Sequence, residues 1–470
     1  MAVGNSDPTF IADRGLIVFM SVFRAYDIRG IYGLTLDPLA AFKISYVFSK
    51  YTIGRGPIFI GADNRHNSMP LSLASLSGIT AAGVDTIDIG MVPTPFLYFS
   101  VAHYRAPGGI MITASHNPPE YNGLKLVGER ARPLTYESGI AEVEKRVTRF
   151  DDERLQEKIG TFADKNVIED YVDYITRDTE ISRKIKVVFE AGNGTAGPVL
   201  RMIAEKLGLD AQILHEVPDG NYPSGMVNPV KEETLTNLKQ RVIESDADIG
   251  MAVDVDADRF GVVSGKGEWI PGDFVIGLLS LPILKRLRGA TILLDIRISK
   301  SVVEFIRSQG GRVCFTKVGH SYIANEMLDG DYLLGGEISG HLYFKDRYYG
   351  YDDGMYCAIR MLELLTAEGK SLEQLKDEFA RTFLSPEIRI EVPDEEKFKI
   401  VKRIENALRK SGIEVDTLDG VKANVKGGWF SIRASNTEPA LVMRMEDDTE
   451  EGLKQTTQFV DKLIRDSKSA

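Results

Sequence analysis

Three short apolar runs recur along the chain in similar surroundings: PIFIGADNR at 57–65, KVVFEAGNG at 186–194 and TILLDIRIS at 291–299. Each run is rich in β-branched or aromatic residues and stops at small or charged residues, which is typical of a buried strand. A helix-compatible segment, a second short strand and later a third strand follow each run. Strands that alternate with helices predict βαβ crossovers. The pattern therefore predicts three α/β domains of one plan, with mixed, largely parallel sheets.

The pattern changes after about residue 385. Three segments with alternating apolar residues, VKANV, GWFSIR and ALVMRME, lie between two amphipathic helical stretches. This arrangement predicts a smaller α+β domain at the C-terminal end. The polar stretch 149–165 is interpreted as a helix end followed by a linker. We expect domain boundaries at 20–160, 161–267, 268–382 and 383–470.

Composition excludes some classes of protein. A chain of 470 residues is too long for one domain of roughly 100–200 residues. Its net charge of −11 argues against binding to nucleic acid or to an anionic membrane surface. No apolar run reaches the roughly 20 residues of a membrane-spanning helix. The two cysteines, Cys314 and Cys357, predict neither a disulfide framework nor a thiolate metal site, which fits a cytoplasmic protein.

The third strand of each repeat is followed by an unusual polar loop. Because ligands of parallel α/β sheets bind beyond the carboxyl ends of the strands, we expect the three loops to meet in one central cleft. The loops contain Ser115-His116-Asn117, then Asp254-x-Asp256-x-Asp258-Arg259, then Glu337-x-Ser339-x-His341.

The three aspartates of the second loop are spaced two residues apart. On an extended segment this spacing directs Asp254, Asp256 and Asp258 to one side, where they can share one hard cation. Without a cation the carboxylates would repel one another. Mg²⁺ suits such oxygen ligands and leaves positions for a phosphate. A solvated acidic turn is the alternative interpretation, and a phosphatase with an aspartate nucleophile is another.

Ser115 is the candidate carrier of a phosphoryl group. A serine hydroxyl is a weak nucleophile unless a base or a metal assists it. No GxSxG elbow surrounds it, and His116 is expected to point elsewhere, which argues against a hydrolase pair. A serine beside a metal site can carry a phosphoryl group whose charge the cation neutralises. A rigid turn without chemistry is the alternative, since two prolines follow.

Cationic and hydroxyl-bearing clusters lie elsewhere along the chain. The segment RASNTEPA at 433–440 suggests a phosphate cradle at the start of a helix, or an ordinary helix cap. The other clusters contain Arg24, Tyr26 and Arg29, then Lys125, then Arg297, Lys317 and His320.

Five motifs in order resemble those of the α-D-phosphohexomutase family: FRAYDIRG, TASHNPPEYNGLKL, DVDADRFG, GGEISGHLYF and RASNTEPALVMR. They span about 20–446 and are most similar to the phosphomannomutase/phosphoglucomutase group. The resemblance implies four domains around one cleft. It also implies interconversion of hexose 1-phosphate and hexose 6-phosphate, with mannose or glucose as the sugar, through a phosphoserine and a bisphosphorylated intermediate. A phosphoglucosamine mutase and a Mg²⁺-dependent sugar phosphatase are the alternatives.

The resemblance also implies roles for individual residues. It implies Mg²⁺ as cofactor, a hexose 1,6-bisphosphate as activator and a small phosphosugar as the binding partner, and leaves monomer or homo-oligomer open. Two departures from the family are that segment 219–229 lacks the histidine often found there and that Arg297 stands where bacterial relatives commonly have lysine. The implied roles are: phosphoserine, Ser115; metal ligands, Ser115, Asp254, Asp256 and Asp258; contact with the transferring phosphoryl group, Arg259; proton transfer, Lys125, Arg29 and His341; sugar recognition, Glu337 and Ser339; grip on the other phosphate, Arg433, Ser435, Asn436 and Thr437; lining of the cleft, Tyr26, Arg297 and His320.

Overall fold

The computed structural model describes residues 22–150, 155–435 and 439–468. They form two compact units, of which the first contains the described residues up to 270 together with 340–371. The second unit contains 271–339 and the described residues from 372 onward. In the described ranges no helix is long and apolar enough to cross a membrane.

The first sheet of the first unit has the strand order β1-β5-β4-β2-β3-β7, with β6 paired to β5. Neighbours among β4, β2, β3 and β7 run parallel, whereas β1 and β5 are antiparallel additions. Its strands are β1 (Ile28–Ile31), β2 (Ile58–Ala62), β3 (Thr86–Met91), β4 (Gly108–Ile112), β5 (Tyr121–Gly128), β6 (Arg132–Pro133) and β7 (Phe162–Asp164). The helices are α1 (Pro38–Val47), α2 (Ser68–Ala81), α3 (Thr94–His103) and α4 (Ala141–Val147).

The linker interpretation of 149–165 was wrong for β7. The backbone of this exposed strand pairs in parallel with β3, so that it extends the first sheet. Thr86 N donates to Thr161 O at 2.8 Å, and Lys165 N donates to Asp88 O at 2.9 Å. Backbone hydrogen bonds hold this strand without burying its side chains, and the hydrophobic pattern therefore carries no sign of it.

The second sheet of the first unit has the order β12-β11-β10-β8-β9. Strand β10 is parallel to β8 and antiparallel to β11. Its strands are β8 (Lys186–Glu190), β9 (Asp210–Leu214), β10 (Ile249–Val253), β11 (Phe260–Ser264) and β12 (Trp269–Ile270). Helices α5 (Ile168–Thr176), α6 (Gly197–Leu207) and α7 (Thr236–Ser245) belong to this part of the chain.

In the second unit, β14 (Arg312–Thr316), β13 (Thr291–Asp295) and β15 (Leu334–Gly336) lie side by side and run parallel. Helix α8 (Gly272–Arg286) precedes β13, whereas α9 (Lys300–Ser308) connects β13 to β14 and α10 (His320–Asp329) connects β14 to β15. The chain then contributes β16 (Leu342–Phe344) and α11 (Gly354–Glu368) to the first unit, and it returns to the second unit with α12 (Leu372–Lys376).

The C-terminal sheet is antiparallel, with the order β17-β22-β21-β20-β19 and β18 paired to β22. Its apolar side chains pack under two amphipathic helices. The predicted α/β repeats and C-terminal α+β sheet are thus confirmed. The elements are β17 (Phe383–Leu384), β18 (Ile388–Glu391), α13 (Lys397–Lys410), β19 (Val415–Asp416), β20 (Val421–Val425), β21 (Gly428–Ala434), β22 (Ala440–Asp447) and α14 (Glu450–Lys468).

The close packing of α1 against α2 generates a stability prediction. A Cβ added at Gly78 of α2 would overlap the Phe42 carbonyl oxygen of α1. Because backbone cannot move aside as a side chain can, Gly78→Ala should lower the free energy of unfolding by about 1–3 kcal/mol. Urea denaturation measures this change. The neighbouring exposed substitution Ser77→Ala should stay within about 0.5 kcal/mol of the unmodified protein, and equal effects of the two changes would contradict the packing argument.

Candidate active site

Ser115 lies in a turn just beyond the end of β4. It is 3% exposed, and its φ of 50° places it in the left-handed region that few non-glycine residues adopt. Its backbone N–H donates to Thr113 Oγ1 at 2.9 Å, and Asn117 N donates to Ala114 O at 3.0 Å. The turn is therefore held by hydrogen bonds.

The Ser115 hydroxyl lies between a carboxylate and an imidazole. Its Oγ donates to Asp254 Oδ2 at 2.7 Å and lies 3.2 Å from His116 Nδ1. The expectation that His116 points elsewhere was wrong, because the left-handed turn at Ser115 brings the two side chains together. Burial, together with the positive charges of Arg259 and Arg29, lowers the pKa of His116 well below its usual value, which favours a neutral ring.

The three aspartates form a buried cluster on the loop after β10. Asp254, Asp256 and Asp258 are at most 1% exposed, and one carboxylate oxygen of each lies within 4.8 Å of those of the other two. The alternative of a solvated acidic turn was therefore wrong. Burial and repulsion from the other two carboxylates raise the pKa of Asp254 well above its usual value. The cluster consequently favours a bound positive charge.

Lys125 provides part of that charge from β5, the neighbour of β4. Its ammonium lies 3.4 Å from Asp256 Oδ2 and also contacts Asp258 Oδ2. Burial would lower the pKa of Lys125, but the charges of Asp256 and Asp258 raise it well above its usual value. Burial would likewise raise the pKa of Asp258, and the charges of Lys125, His341 and Arg259 lower it. Lysine and aspartate therefore remain an ion pair.

Two threonines that were not predicted from the sequence orient Asp256. Thr94 Oγ1 and Thr113 Oγ1 donate to Asp256 Oδ2 at 2.7 and 3.0 Å. Thr94 follows the end of β3 and Thr113 follows the end of β4. Their positions at the carboxyl ends of parallel strands were a sequence signal that could have indicated them. The other oxygen, Asp256 Oδ1, is buried and accepts no hydrogen bond from any described residue, and the same holds for Asp258 Oδ1. Buried carboxylate oxygens without donors fit a Mg²⁺ ion, which binds oxygen ligands.

His341 lies at the edge of the aspartate cluster. Its Nδ1 is 2.7 Å from Asp352 Oδ2 and 3.8 Å from Asp258 Oδ1. Burial would lower the pKa of His341, but the charge of Asp258 and the hydrogen bond to Asp352 raise it. Asp352 was not predicted as a site residue, although the acidic pair in YGYDDG was a possible signal.

Two arginines approach residues 115–121, which we call the serine loop, from different directions. Arg29 Nη1 donates to Asn117 Oδ1 at 2.7 Å, and its other terminal nitrogen pairs with Asp27 at 2.7 Å. Arg259 Nε lies 3.8 Å from Asp254 Oδ2, the oxygen that Ser115 also contacts. Tyr26, near Arg29 in sequence, is half-buried. The structure thus brings together Ser115, the aspartates and three of the predicted cations within the first unit.

In the second unit, Arg297 is surrounded by carboxylates. Its guanidinium lies 3.0 Å from Asp295, 2.6 Å from Glu387 and 3.9 Å from Glu337. Burial would lower the pKa of Arg297, but Asp295 and the other carboxylates raise it. Glu337 also accepts a hydrogen bond from Gly319 N at 3.2 Å, next to the buried His320. The second unit therefore brings three predicted substrate-binding residues close together: Arg297, Glu337 and His320.

The predicted cradle at 433–440 begins in the last residues of β21 and ends at the first residue of β22. Arg433, the penultimate residue of β21, has its Nε 2.9 Å from Asp419 Oδ2, and Ser435 N donates to Ala440 O at 2.9 Å. The expectation of a helix start was wrong, because Ala440 begins the alternating strand β22. Asn436 and Thr437 lie outside the described residues.

The Oγ of Ser339 is buried and has no hydrogen-bond partner in the part of the chain that the structure describes.

Comparisons with known proteins agree with this fold. A phosphomannomutase/phosphoglucomutase of Pseudomonas aeruginosa is 36% identical over 436 residues, which are 92% of this chain and 93% of that protein. A phosphomannomutase of Escherichia coli is 35% identical over 91% of this chain and 95% of its own length. The crystal structure of a phosphoglucomutase/phosphomannomutase family protein of Burkholderia thailandensis matches with a TM-score of 0.88 and 32% identity, covering 95% of this chain and 98% of the other.

Family models for phosphoglucomutase/phosphomannomutase match nearly the whole chain. They cover α/β/α domain I at 20–154, α/β/α domain II at 169–267, α/β/α domain III at 271–383 and the C-terminal domain at 387–463. The α/β repeats and the buried serine–aspartate site already define the class of α-D-phosphohexomutases. Within that class, the chain belongs to the phosphoglucomutase/phosphomannomutase family.

The aspartate cluster generates a prediction about cation binding. Addition of Mg²⁺ at a 100-fold excess over its Kd should stabilise the protein by about 2.7 kcal/mol. Asp256→Asn should largely abolish this stabilisation, because its amide keeps an oxygen for Thr94 and Thr113 but replaces the unpaired oxygen with N–H groups. The midpoint of thermal unfolding with and without Mg²⁺ measures the effect. Asp246→Asn, at an exposed left-handed position that asparagine tolerates, is the control, and loss of the shift in both variants would contradict the assignment.

Proposed function

We propose that this protein interconverts hexose 1-phosphate and hexose 6-phosphate, with mannose or glucose as the sugar, and that Ser115 carries the phosphoryl group. The observation that supports it most is the Ser115 hydroxyl, held 2.7 Å from Asp254 in a buried cluster of three carboxylates. The names of the Pseudomonas and Escherichia relatives support the same class of reaction. Both cysteines are free, in keeping with a cytoplasmic location.

The reaction is an exchange of phosphoryl groups. In the first step the bond between phosphorus and Ser115 Oγ breaks, a hydroxyl oxygen of the sugar phosphate bonds to phosphorus, and the hydroxyl proton passes to a base. The product is a hexose 1,6-bisphosphate, which reorients. In the second step Ser115 Oγ attacks the other phosphate, the bond from that phosphorus to the sugar breaks, and the sugar oxygen takes up a proton. A hexose 1,6-bisphosphate would accordingly also activate an enzyme that has lost its phosphoryl group.

The charges around Ser115 suit such a transfer. Arg259 and Lys125 would stabilise the negative charge of the transferring group, since phosphoryl transfer depends mainly on positioning and charge neutralisation. Lys125, Arg29 and His341 are the candidates for moving the hydroxyl proton. Mg²⁺ bound by the three aspartates and an oxygen of the phosphorylated serine would supply further positive charge there.

We further propose that the second unit contributes substrate-binding residues. Glu337 and Ser339 carry oxygens that can bond sugar hydroxyls, and the unpaired Oγ of Ser339 supports this role. Arg433 offers a guanidinium, which suits a phosphate. The remaining proposed substrate-binding residues are Tyr26 of the first unit and Arg297, His320, Ser435, Asn436 and Thr437.

Ser115→Ala tests the proposed function directly. Wild type and variant are assayed with Mg²⁺ and a trace of hexose 1,6-bisphosphate on mannose 1-phosphate, glucose 1-phosphate and glucosamine 1-phosphate. We expect formation of the 6-phosphates to be lost in Ser115→Ala, because no other oxygen replaces Oγ, and to persist in Ser75→Ala. Ser75 is a matched control, since it is buried and its Oγ has no hydrogen-bond partner among the described residues.

Three other outcomes are informative. Release of inorganic phosphate that ignores Ser115 would refute the mutase and favour a phosphatase with an aspartate nucleophile. Preference for glucosamine 1-phosphate would change the assigned sugar. Equal loss in Ser75→Ala would mean that Ser115→Ala acts through folding.

The proposed phosphate contact of Arg433 has its own test. Arg433→Gln should raise KM by roughly 10–100-fold, the equivalent of one hydrogen bond to a charged group of about 1.5–3 kcal/mol. The change in kcat should be smaller, because the phosphate held at this position during each step is not the one being transferred. Steady-state kinetics measures both constants. Arg409→Gln, at an exposed position of α13, should change neither, and a fall in kcat at unchanged KM would contradict the assignment of Arg433.

A further inference from the structure

The backbone of the serine loop is held by one buried side chain, Arg65. Its Nη2 donates to Ser115 O at 2.5 Å and to Asn117 O at 2.6 Å. Its Nη1 donates to Pro118 O at 2.7 Å and to Tyr121 O at 3.2 Å. Four carbonyl groups of residues 115–121 therefore converge on one guanidinium.

Arg65 is itself fixed by the strand end that carries it. It follows β2, the parallel neighbour of β4, and its Nε donates to Asp63 Oδ2 at 3.1 Å. Asp63 Oδ1 accepts the backbone N–H of Arg65 at 3.0 Å and also the hydroxyl of Ser68. A guanidinium has five N–H donors, and each has an acceptor here: one on Asp63 and four on the serine loop. The arrangement uses the full hydrogen-bonding capacity of arginine.

A loop from the second sheet covers the same guanidinium. The ring centroid of Tyr222 lies 5.8 Å from the central carbon of Arg65. Tyr222 OH donates to Asn64 Oδ1 at 3.3 Å, and Asn64 Nδ2 donates to Asn193 O at 2.7 Å. A Cβ at Gly220 would lie 2.6 Å from Asn64 O, so this approach requires glycine. Segment 219–229, which lacks the histidine often found there in the family, thus packs against Asn64 and Arg65, the residues that follow β2.

We propose that Arg65, covered by Tyr222, is a positioning residue that directs Ser115 Oγ toward the transferring phosphoryl group; the proposal rests on the proposed mutase function. Ser115 has a left-handed backbone, which persists only where its surroundings fix it. Thr113 holds its N–H and Arg65 holds its carbonyl. A reacting atom displaced by about 1 Å can lose on the order of 100-fold in rate, so the orientation of this turn governs catalysis.

Arg65→Lys tests the proposal, because lysine keeps the charge but cannot provide a planar fork of five donors. We expect kcat to fall by roughly 10–100-fold and KM to change by less than about threefold, since Arg65 does not contact the substrate. Amide hydrogen exchange of 115–121 should become faster. The control is Arg360→Lys: Arg360 is as buried as Arg65 and pairs with Asp346 at 2.7 Å. Its substitution should leave both the exchange of 115–121 and kcat unchanged.

The two readouts separate this proposal from the proposed function. Absence of Ser115-dependent turnover in the wild type would refute the mutase, while the exchange measurement would still decide whether Arg65 orders the loop. Unchanged exchange, or faster exchange with an unchanged kcat, would overturn the role of Arg65. If Arg65→Lys does not fold, Tyr222→Leu removes the covering ring and keeps all five hydrogen bonds. A smaller fall of kcat in that variant supports the proposal, and no fall overturns it.

Discussion

The burial of three carboxylates on one loop is the constraint on which the first unit depends. Asp254, Asp256 and Asp258 are almost completely removed from water, and isolated buried charges are strongly unfavourable. Neighbouring groups offset part of this unfavourable energy. Lys125 pairs with Asp256 and Asp258, and Arg259 lies near Asp254. Two threonine hydroxyls donate hydrogen bonds to Asp256. Two buried carboxylate oxygens, Asp256 Oδ1 and Asp258 Oδ1, still receive no hydrogen bond from the described residues. A site that concentrates unbalanced negative charge in this way is suited to hold a cation next to a phosphoryl group.

Such a site also requires unusual backbone conformations. Ser115 and Ala257 have φ values of 50° and 57°, although neither is glycine. Each turn is held by groups that lie far away in the sequence: Arg65 binds the carbonyl of Ser115, and Gly354 N donates to Ala257 O at 3.0 Å. Strained conformations at functional sites persist when the surrounding structure fixes them. Hydrogen bonds to the backbone therefore help to fix both turns of the candidate site.

The second unit holds its own cationic loop in a similar way. The carbonyl groups of Ile296 and Arg297 accept hydrogen bonds from Lys422 at 2.6 Å and Arg444 at 2.9 Å, both from the C-terminal sheet. Glu446 of the same sheet accepts from Ser299 Oγ and from Lys300 N, each at 2.7 Å, where α9 begins. The Arg297 loop and the C-terminal sheet are therefore joined by charged hydrogen bonds, which are stronger than neutral ones.

Local pattern in the sequence predicted the repeated α/β plan and the C-terminal α+β domain, and it indicated Ser115 and the three aspartates as candidate site residues. These features follow from hydrophobic periodicity and from residues adjacent in the chain, both of which a sequence displays directly. The exposed strand β7 has no such periodicity, and it was missed. The proximity of His116 to Ser115, and the contacts of Asp256 with Thr94 and of His341 with Asp352, depend on a left-handed turn and on side chains brought together by folding. The same holds for Arg65, whose acceptors lie about 50 residues further along the chain, since only the parallel pairing of β2 with β4 makes those strand ends neighbours.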